Sequence, residues 1–512
     1  MQKIKSILQF IFPYYRGAIL SIILNLLAAV FAVVSITMVI PFMGIIFSSS
    51  PEIVQPASFS FSAEAIQQYF NYQISRILAE QGQIKALVLI VSVVAIASLF
   101  KSIFSFLSQS IVINIRVKLV KNLRNKILKK IIDLDLSIFK ENSKGHFISN
   151  ITSDVKEIEI ASIRLLEMMF KHPIMIMVYL YVLCSISLKL TSIVIVLFLI
   201  SAIIIAVTGK KLKEISLKGQ VKMSLLMNIF NEVLSGLKII KANNAEKHII
   251  NRFTKINESY SNLLNKSLRQ RAMAIPLSNI ISVISILVVI WLGSLMVIDT
   301  NSNISSQAFI GYLAILTQLV KPINSIANAY YNVQRGRASI DRINSLLEKE
   351  NLIKENKNAK PLTNFNDCIE FKNVNFSYKE NLVLKKLNLK IEKGQTIALV
   401  GKSGVGKSTL VDLIPRFFDI DSGEVLIDNI PVKDYKISDV RHFAGYVNQE
   451  PILFNDNFYN NIKFDNKKAN TDEIINAAKL ANAHEFITTT ANTYYSNIGE
   501  NGSKLSHGQK QR

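Results

Sequence analysis

Residues 395–413 read QTIALVGKSGVGKSTLVDL. Thr396 to Val400 is an apolar run that predicts a short strand, and Leu410 to Phe418 carries apolar residues at helical spacing. Between them lie Gly401, Lys402, Ser403, Gly404, Val405, Gly406, Lys407, Ser408 and Thr409, which fit the pattern G-x-x-x-x-G-K-[ST]-T. Strand, glycine-rich loop and helix in that order are the context in which such a pattern has a mechanism. Glycines reach backbone conformations that side chains forbid, so successive N–H groups can converge on phosphate oxygens. The helix that follows adds the positive end of its dipole. Lys407 is expected to reach the β- and γ-phosphates of a nucleotide as a point charge, and Ser408 to place its hydroxyl on Mg²⁺. A glycine-rich turn with a stray lysine is the bland alternative, and the flanking strand and helix argue against it.

Outward from this loop, the chain is 512 residues long and needs more than one core. Half of its residues are hydrophobic, and they crowd into the first 330 positions as long runs with few charges. Six runs are candidate membrane spans: about 18–47, 86–110, 173–189, 191–208, 276–298 and 306–330. The third and fourth are separated only near Lys189, which predicts a hairpin. The loop Ser48 to Lys85 sets Glu52, Glu64 and Glu80 against Arg76 and Lys85. Residues 111–171 hold twelve Lys or Arg and 209–275 hold thirteen, in each case more than the acidic residues. Positive-inside counting then puts both termini and both long loops in the cytoplasm. The same distribution accounts for the net charge of +22 without nucleic acid, since no reading motif accompanies it. The two cysteines, Cys184 and Cys368, form neither a disulfide framework nor a metal-ligand pattern.

Residues 1–16 are short, basic and amphipathic, and suit a helix on the cytoplasmic membrane surface rather than a cleaved signal. The basic loops 111–142 and 209–265 keep helical spacing, as in Leu119, Leu123, Ile127 and Ile131, so the spans are expected to continue as helices into the cytoplasm. Ala338 to Glu348 is an amphipathic helix, and the Asn- and Lys-rich residues after it read as a linker. The expected division is a transmembrane domain at 1–340, a linker at 341–368 and a soluble α/β domain over 369–512, where Glu370 to Tyr378 alternates as a strand does.

Further stretches point to a family. Tyr446-Val-Asn-Gln449-Glu-Pro-Ile-Leu-Phe454 resembles the glutamine loop of ABC-transporter ATPases, and Leu505-Ser-His-Gly-Gln509 resembles their signature sequence. With six spans ahead, and with 141–155, 232–246 and the ASIDRI segment similar to the family's cytoplasmic loops and linker, the whole chain resembles an ABC exporter half-transporter of the lipid-flippase or multidrug-exporter kind. The resemblance implies a six-helix all-α membrane domain followed by an α/β P-loop NTPase domain, with ATP and Mg²⁺ as cofactors. It places Tyr378 against adenine, a contact any purine face tolerates. It puts Gln449 near Mg²⁺ or the attacking water, and Leu505, Ser506, His507, Gly508 and Gln509 against the γ-phosphate held by a second copy's loop. His507 departs from the usual glycine and is expected to be tolerated. Gly499 to Gly502 resembles a loop that in exporters touches the cytoplasmic helices, which favours export.

The resemblance also implies that an Mg²⁺-binding aspartate, a catalytic glutamate and a switch histidine follow the signature, beyond Arg512. The 512 residues end at Arg512, before any of them, so no catalytic residue is assigned. A fragment with slow or absent hydrolysis and an ATPase sheet with exposed edges is expected. The spans hold no Asp or Glu. Lys101 and Lys321 lie roughly 24 Å in from the outer ends of their spans, where they either snorkel to headgroups or draw an anionic amphiphile into the inward cavity. No protease domain precedes the first span, so a cargo-processing peptide exporter is not expected. Two other classes stay open: a membrane-anchored nucleotide sensor that moves nothing, and a channel or scaffold that shares the fold.

Overall fold

The computed structural model describes residues 8–47, 63–141, 144–298, 304–379 and 381–512. The expectations for residues 1–7 and for Glu52 lie outside them. The chain divides into two compact units, one of residues 1–134 and 141–350 and the other of residues 135–140 and 351–512.

Among its described residues the first unit has helices and no strand. Its elements include α1 (Tyr15–Thr37), α2 (Gln83–Asp133), α3 (Val155–Leu166), α4 (His172–Ile186), α5 (Leu188–Ala242), α6 (Glu246–Ile298) and α7 (Ser306–Leu347). At 51 residues α2 runs about 75 Å at the standard helical rise. That is more than twice a bilayer core of about 30 Å, so apolar and basic stretches fuse into one helix that must project beyond the lipid. The same holds for α5 and α6, with Pro276 inside α6. Ala338–Leu347 is likewise no separate helix but the end of α7.

Among the described residues, Leu8–Ile46, Gln83–Asp133, Gly145–Ile186, Val221–Ala242 and Ser306–Leu347 are long and apolar enough to cross a membrane. Leu188–Ile200 and Ser282–Ile298 are shorter apolar pieces of α5 and α6. Val221–Ala242 carries Lys222, Glu232, Lys238 and Lys241, which are expensive in hydrocarbon.

Ser187 makes the turn between α4 and α5: its hydroxyl caps the Leu190 N–H at 3.3 Å. Around that turn Tyr179, Leu183, Leu190, Val194, Val289, Tyr312, Ile315, Leu316 and Leu319 form the buried core. The Tyr312 hydroxyl shares a hydrogen bond of 3.2 Å with Thr191 Oγ1 there. Outward faces are bare aliphatic surface, for example Ile19, Ile23, Val88 and Val91, as lipid-facing helices require.

Further along, π-helical turns at Asn150–Asp154 and Glu167–Lys171 flank α3. Helix α3 lies so close to α7 that a Cβ on Gly336 would collide with Ala161. Arg342 of α7 clamps the buried Asp154 carboxylate, with Nε donating to Oδ2 at 3.0 Å.

The second unit holds a sheet of order β2-β1-β3-β4, antiparallel throughout: β1 (Cys368–Tyr378), β2 (Asn381–Glu392), β3 (Ser422–Ile427) and β4 (Ile430–Pro431). An irregularity in the register of β1 between Phe371 and Val374 lets both face the core, together with Phe376. They pack against Leu410 and Leu413 of the helix α8 (Lys407–Leu413), and against Phe418, Val425 and Ile427. The Asp428 carboxylate accepts the backbone N–H groups of Asn366, Asp367 and Cys368, pinning the start of β1. A second cluster joins Phe458, Ile474, Ala478, Ile487, Tyr494 and Ile498, in part from the short helices α9 (Phe458–Lys463), α10 (Thr471–Leu480) and α11 (His484–Thr488). Both cysteines are free.

Two local expectations need correction. Thr396 to Val400 forms no ladder among the described residues, and Ile397, Leu399 and Val400 are exposed. A strand exists only with a neighbour, and the antiparallel sheet does not supply one here. Helix α8 stops at Leu413, short of Phe418. Pro415 has no N–H with which to continue the helical ladder, and Arg416 adopts a left-handed φ of 52°.

Candidate functional site

The glycine-rich loop leads into α8, which is anchored by buried Thr409, Leu410 and Leu413. Gly404 and Gly406 adopt φ of 82° and 99°, in the left-handed region that side chains disfavour. At Gly406 a Cβ would also come within 2.8 Å of Val383 Cγ1, so the backbone can lie against β2 only because no side chain intervenes. Gly401, Lys402, Ser403, Gly404 and Val405 are all exposed, an open cradle.

Lys407 curls over that cradle. Its Nζ donates to the carbonyl oxygens of Gly401 and Lys402, both at 2.9 Å. Neutral carbonyls are weaker partners for an ammonium than phosphate oxygens, whose bonds to it are charge-assisted from both sides. The Ser408 hydroxyl is exposed and makes no hydrogen bond among the described residues, and the same is true of the Gln449 side chain. Two free, hard oxygen donors are what a magnesium ion accepts, so the residues present fit the metal.

Tyr378 ends β1 with its ring held edge-on by Phe376, at 4.8 Å between centroids, and by Phe418, at 5.4 Å. Phe418 follows the loop's helix, so these contacts bring the adenine candidate to the phosphate loop's side of the sheet. The Gln449 segment is tied to the same helix by two residues to which the motifs assign no role. The Tyr446 hydroxyl donates to Asp412 Oδ1 at 2.9 Å, and its ring packs edge-on against Phe417 at 5.4 Å. Asp412 and Tyr446 were legible only as residues inside two motifs, with nothing in their spacing to pair them.

The signature residues stand elsewhere. Leu505 packs on the second hydrophobic cluster. Ser506 opens a short helix, α12 (His507–Gln511), as the first half of a capping box: the Gln509 N–H donates to Ser506 Oγ at 3.2 Å, and the Ser506 N–H to Gln509 Oε1 at 2.9 Å. His507 and Gly508 are exposed on that helix. Among the described residues no hydrogen bond or ion pair joins 505–509 to the phosphate loop. The structure therefore gathers Tyr378, 401–409 and the Gln449 segment on one side and leaves Leu505 to Gln509 apart.

Arg512 closes α12. Its backbone N–H donates to the Gly508 carbonyl oxygen, and its Nη1 donates to the Asn482 carbonyl oxygen, both at 3.2 Å. Those bonds hold the end of the signature helix to the turn after α10, which is a structural role.

Comparison with known proteins identifies the family. Residues 18–323 match the family described as the ABC transporter transmembrane region, and 384–512 match the family described as ABC transporter. A match to the RsgA GTPase family over 336–427 overlaps the phosphate loop. The ATP-dependent lipid A-core flippase of Syntrophus aciditrophicus is 33% identical over 428 residues, 83% of this chain and 70% of the relative. The flippase of the same name from Desulfotalea psychrophila is 32% identical over 77% of this chain and 68% of its own length. The putative multidrug export ATP-binding/permease protein YgaD of Bacillus subtilis is also 32% identical, over 77% of this chain and 68% of its own. Helical membrane unit, phosphate loop and signature on one chain, with these matches along most of its length, place the protein in the ABC transporter family, as a transmembrane domain joined to an ATPase domain.

Proposed function

We propose that the chain is one half of a dimeric exporter that uses ATP to move or flip a lipid or other amphiphile across the bacterial inner membrane. The observation that carries this reading is the incomplete nucleotide site. Tyr378 and the 401–409 loop form one wall, while Ser506, Gly508 and Gln509 sit in a separate cluster, Ser506 and Gln509 with their side chains turned on each other. A second copy presenting its own 505–509 supplies the missing wall, and ATP then favours the closed pair because it binds that state better than the open one.

Lys407 neutralises phosphate charge, Tyr378 orients the base, and Ser408 and Gln449 would hold Mg²⁺, which would add further positive charge at the β- and γ-phosphates. Asp412 and Tyr446 keep the glutamine segment in register with the loop's helix. Positive-inside counting supports cytoplasmic termini and a cytoplasmic ATPase domain, and the charged stretch Val221–Ala242 then lies in the cytoplasm rather than in lipid.

The names of the relatives support an amphiphilic cargo. Lys101 and Lys321, both exposed on apolar helices, fit a negatively charged one. The test is magnesium-dependent retention of labelled ATP, together with ATP-dependent lipid flipping in proteoliposomes. Lys407→Ala should weaken nucleotide retention by about tenfold or more, the worth of a charge-assisted bond, and abolish flipping. Flipping that survives Lys407→Ala would end the proposal. Stimulation by an anionic lipid that is unchanged in Lys101→Gln/Lys321→Gln would remove the anionic cargo from it.

A further inference from the structure

We propose that the membrane domain carries a resident site for an anionic phospholipid headgroup, in the cavity enclosed by α1, α2 and the π-turn after α3. The cavity measures about 320 Å³, within the range of small-ligand sites.

Its floor is polar in a stretch that is otherwise aliphatic. Ser21 and Ser108 are buried, with their hydroxyls 2.8 Å apart. The Asn25 amide donates to Ser108 Oγ at 2.8 Å and to the Ser21 carbonyl oxygen at 2.9 Å. Both amide protons are thereby used, and Asn25 Oδ1 accepts no hydrogen bond among the described residues. Polar groups on apolar helices are costly unless they are satisfied or functional. Here one acceptor is left for a guest.

The charges lining the cavity do not cancel. Arg116 pairs with Glu159, and Arg164 takes Glu167 at 2.7 Å. Lys171, which lines the same cavity, has no carboxylate partner among the described residues. One ammonium and one carbonyl oxygen in a cavity of this size suit a phosphate diester with a neighbouring hydroxyl, as in phosphatidylglycerol.

Lipid rather than a free anion is favoured by what surrounds the opening. Ile113 both lines the cavity and is 55% exposed, and Ile19 and Ile23 are exposed beside it on α1. A soluble phosphate would leave those aliphatic surfaces bare, whereas acyl chains would cover them. Ser21 is only six residues into α1, about 9 Å along its axis, which is headgroup depth. On the topology proposed above this is the cytoplasmic leaflet.

The site is independent of the transported cargo and of nucleotide, so it is tested without ATP. The protein is reconstituted in nanodiscs of phosphatidylcholine doped with phosphatidylglycerol, moved into mild detergent, and its retained lipid counted by native mass spectrometry. Retention of about one phosphatidylglycerol per chain is expected. Lys171→Gln should lower it by about tenfold, while Lys171→Arg and Lys407→Ala should leave it unchanged. Retention that does not discriminate between the two lipids, or that is equal in Lys171→Gln, overturns the site. Displacement by millimolar inorganic phosphate overturns the lipid assignment in favour of a free anion. Equal loss in Lys171→Arg shows packing rather than charge and also overturns it.

Discussion

Two alanine substitutions in the phosphate loop separate backbone strain from packing. Gly404 and Gly406 both sit at positive φ, 82° and 99°, so an alanine at either costs about 1–2 kcal/mol for left-handed geometry. A Cβ at Gly404 meets nothing within 4 Å, and that strain is the whole cost. At Gly406 the added carbon lies 2.8 Å from Val383 Cγ1 and 3.0 Å from Leu384 Cδ2, two side chains on β2. Leu384 belongs to the buried core and cannot swing away, so overpacking adds about 1–3 kcal/mol.

The strained loop relaxes by leaving the phosphate-binding geometry, and nucleotide must then restore it. At about 1.4 kcal/mol per tenfold, Gly404→Ala should weaken MgATP binding by about tenfold and Gly406→Ala by about a hundredfold or more. Equilibrium titration of the detergent-solubilised protein with a fluorescent ATP analogue measures both. Hydrogen exchange across 383–410 should rise only in Gly406→Ala. If Gly406→Ala binds as tightly as Gly404→Ala, the loop is not braced on β2 and the reasoning fails.

Three further outcomes are expected. Tyr378→Ala should weaken ATP binding by about tenfold or more, the worth of roughly 1–3 kcal/mol of base stacking, yet leave inorganic triphosphate binding unaltered; equal effects on both would remove the adenine contact. In the Asp154–Arg342 pair the carboxylate side chain is 3% exposed and the arginine 49%. Arg342→Ala therefore strands a buried charge, at about 3–5 kcal/mol, whereas Asp154→Asn leaves a guanidinium that water can reach, at about 1–2 kcal/mol; thermal unfolding of the two variants should rank in that order. Burial pushes the Asp428 carboxyl up, but donation from the Asn366, Asp367 and Cys368 amides outweighs it and holds the group below the usual carboxylate range. Its stabilising effect is then complete above about pH 4, the ordinary aspartate value, and is lost as pH falls through the depressed native value. Asp428→Asn should flatten that acid limb of an unfolding-versus-pH curve.

Much of the protein was legible in its residues because the relevant signals are local. A helix announces itself by spacing along its own turns, a span by an unbroken apolar run, and the phosphate loop by glycines next to the lysine they serve. Helix α2 and strand β1 are of this kind, as is the hairpin turn expected near Lys189 and found at Ser187. What the chain order did not disclose depends on a partner far away. Thr396 to Val400 has the composition of a strand, but pairing is a property of two segments, and its apolar side chains stand exposed. Tyr446 and Asp412 are 34 positions apart, Asp154 and Arg342 188, and the polar floor of the α1–α2–α3 cavity joins Ser21 to Ser108 across two helices. Periodicity records which face of an element avoids water. Which element covers that face, and which charge is left without a counterpart, is set only when distant segments compete for the same contacts.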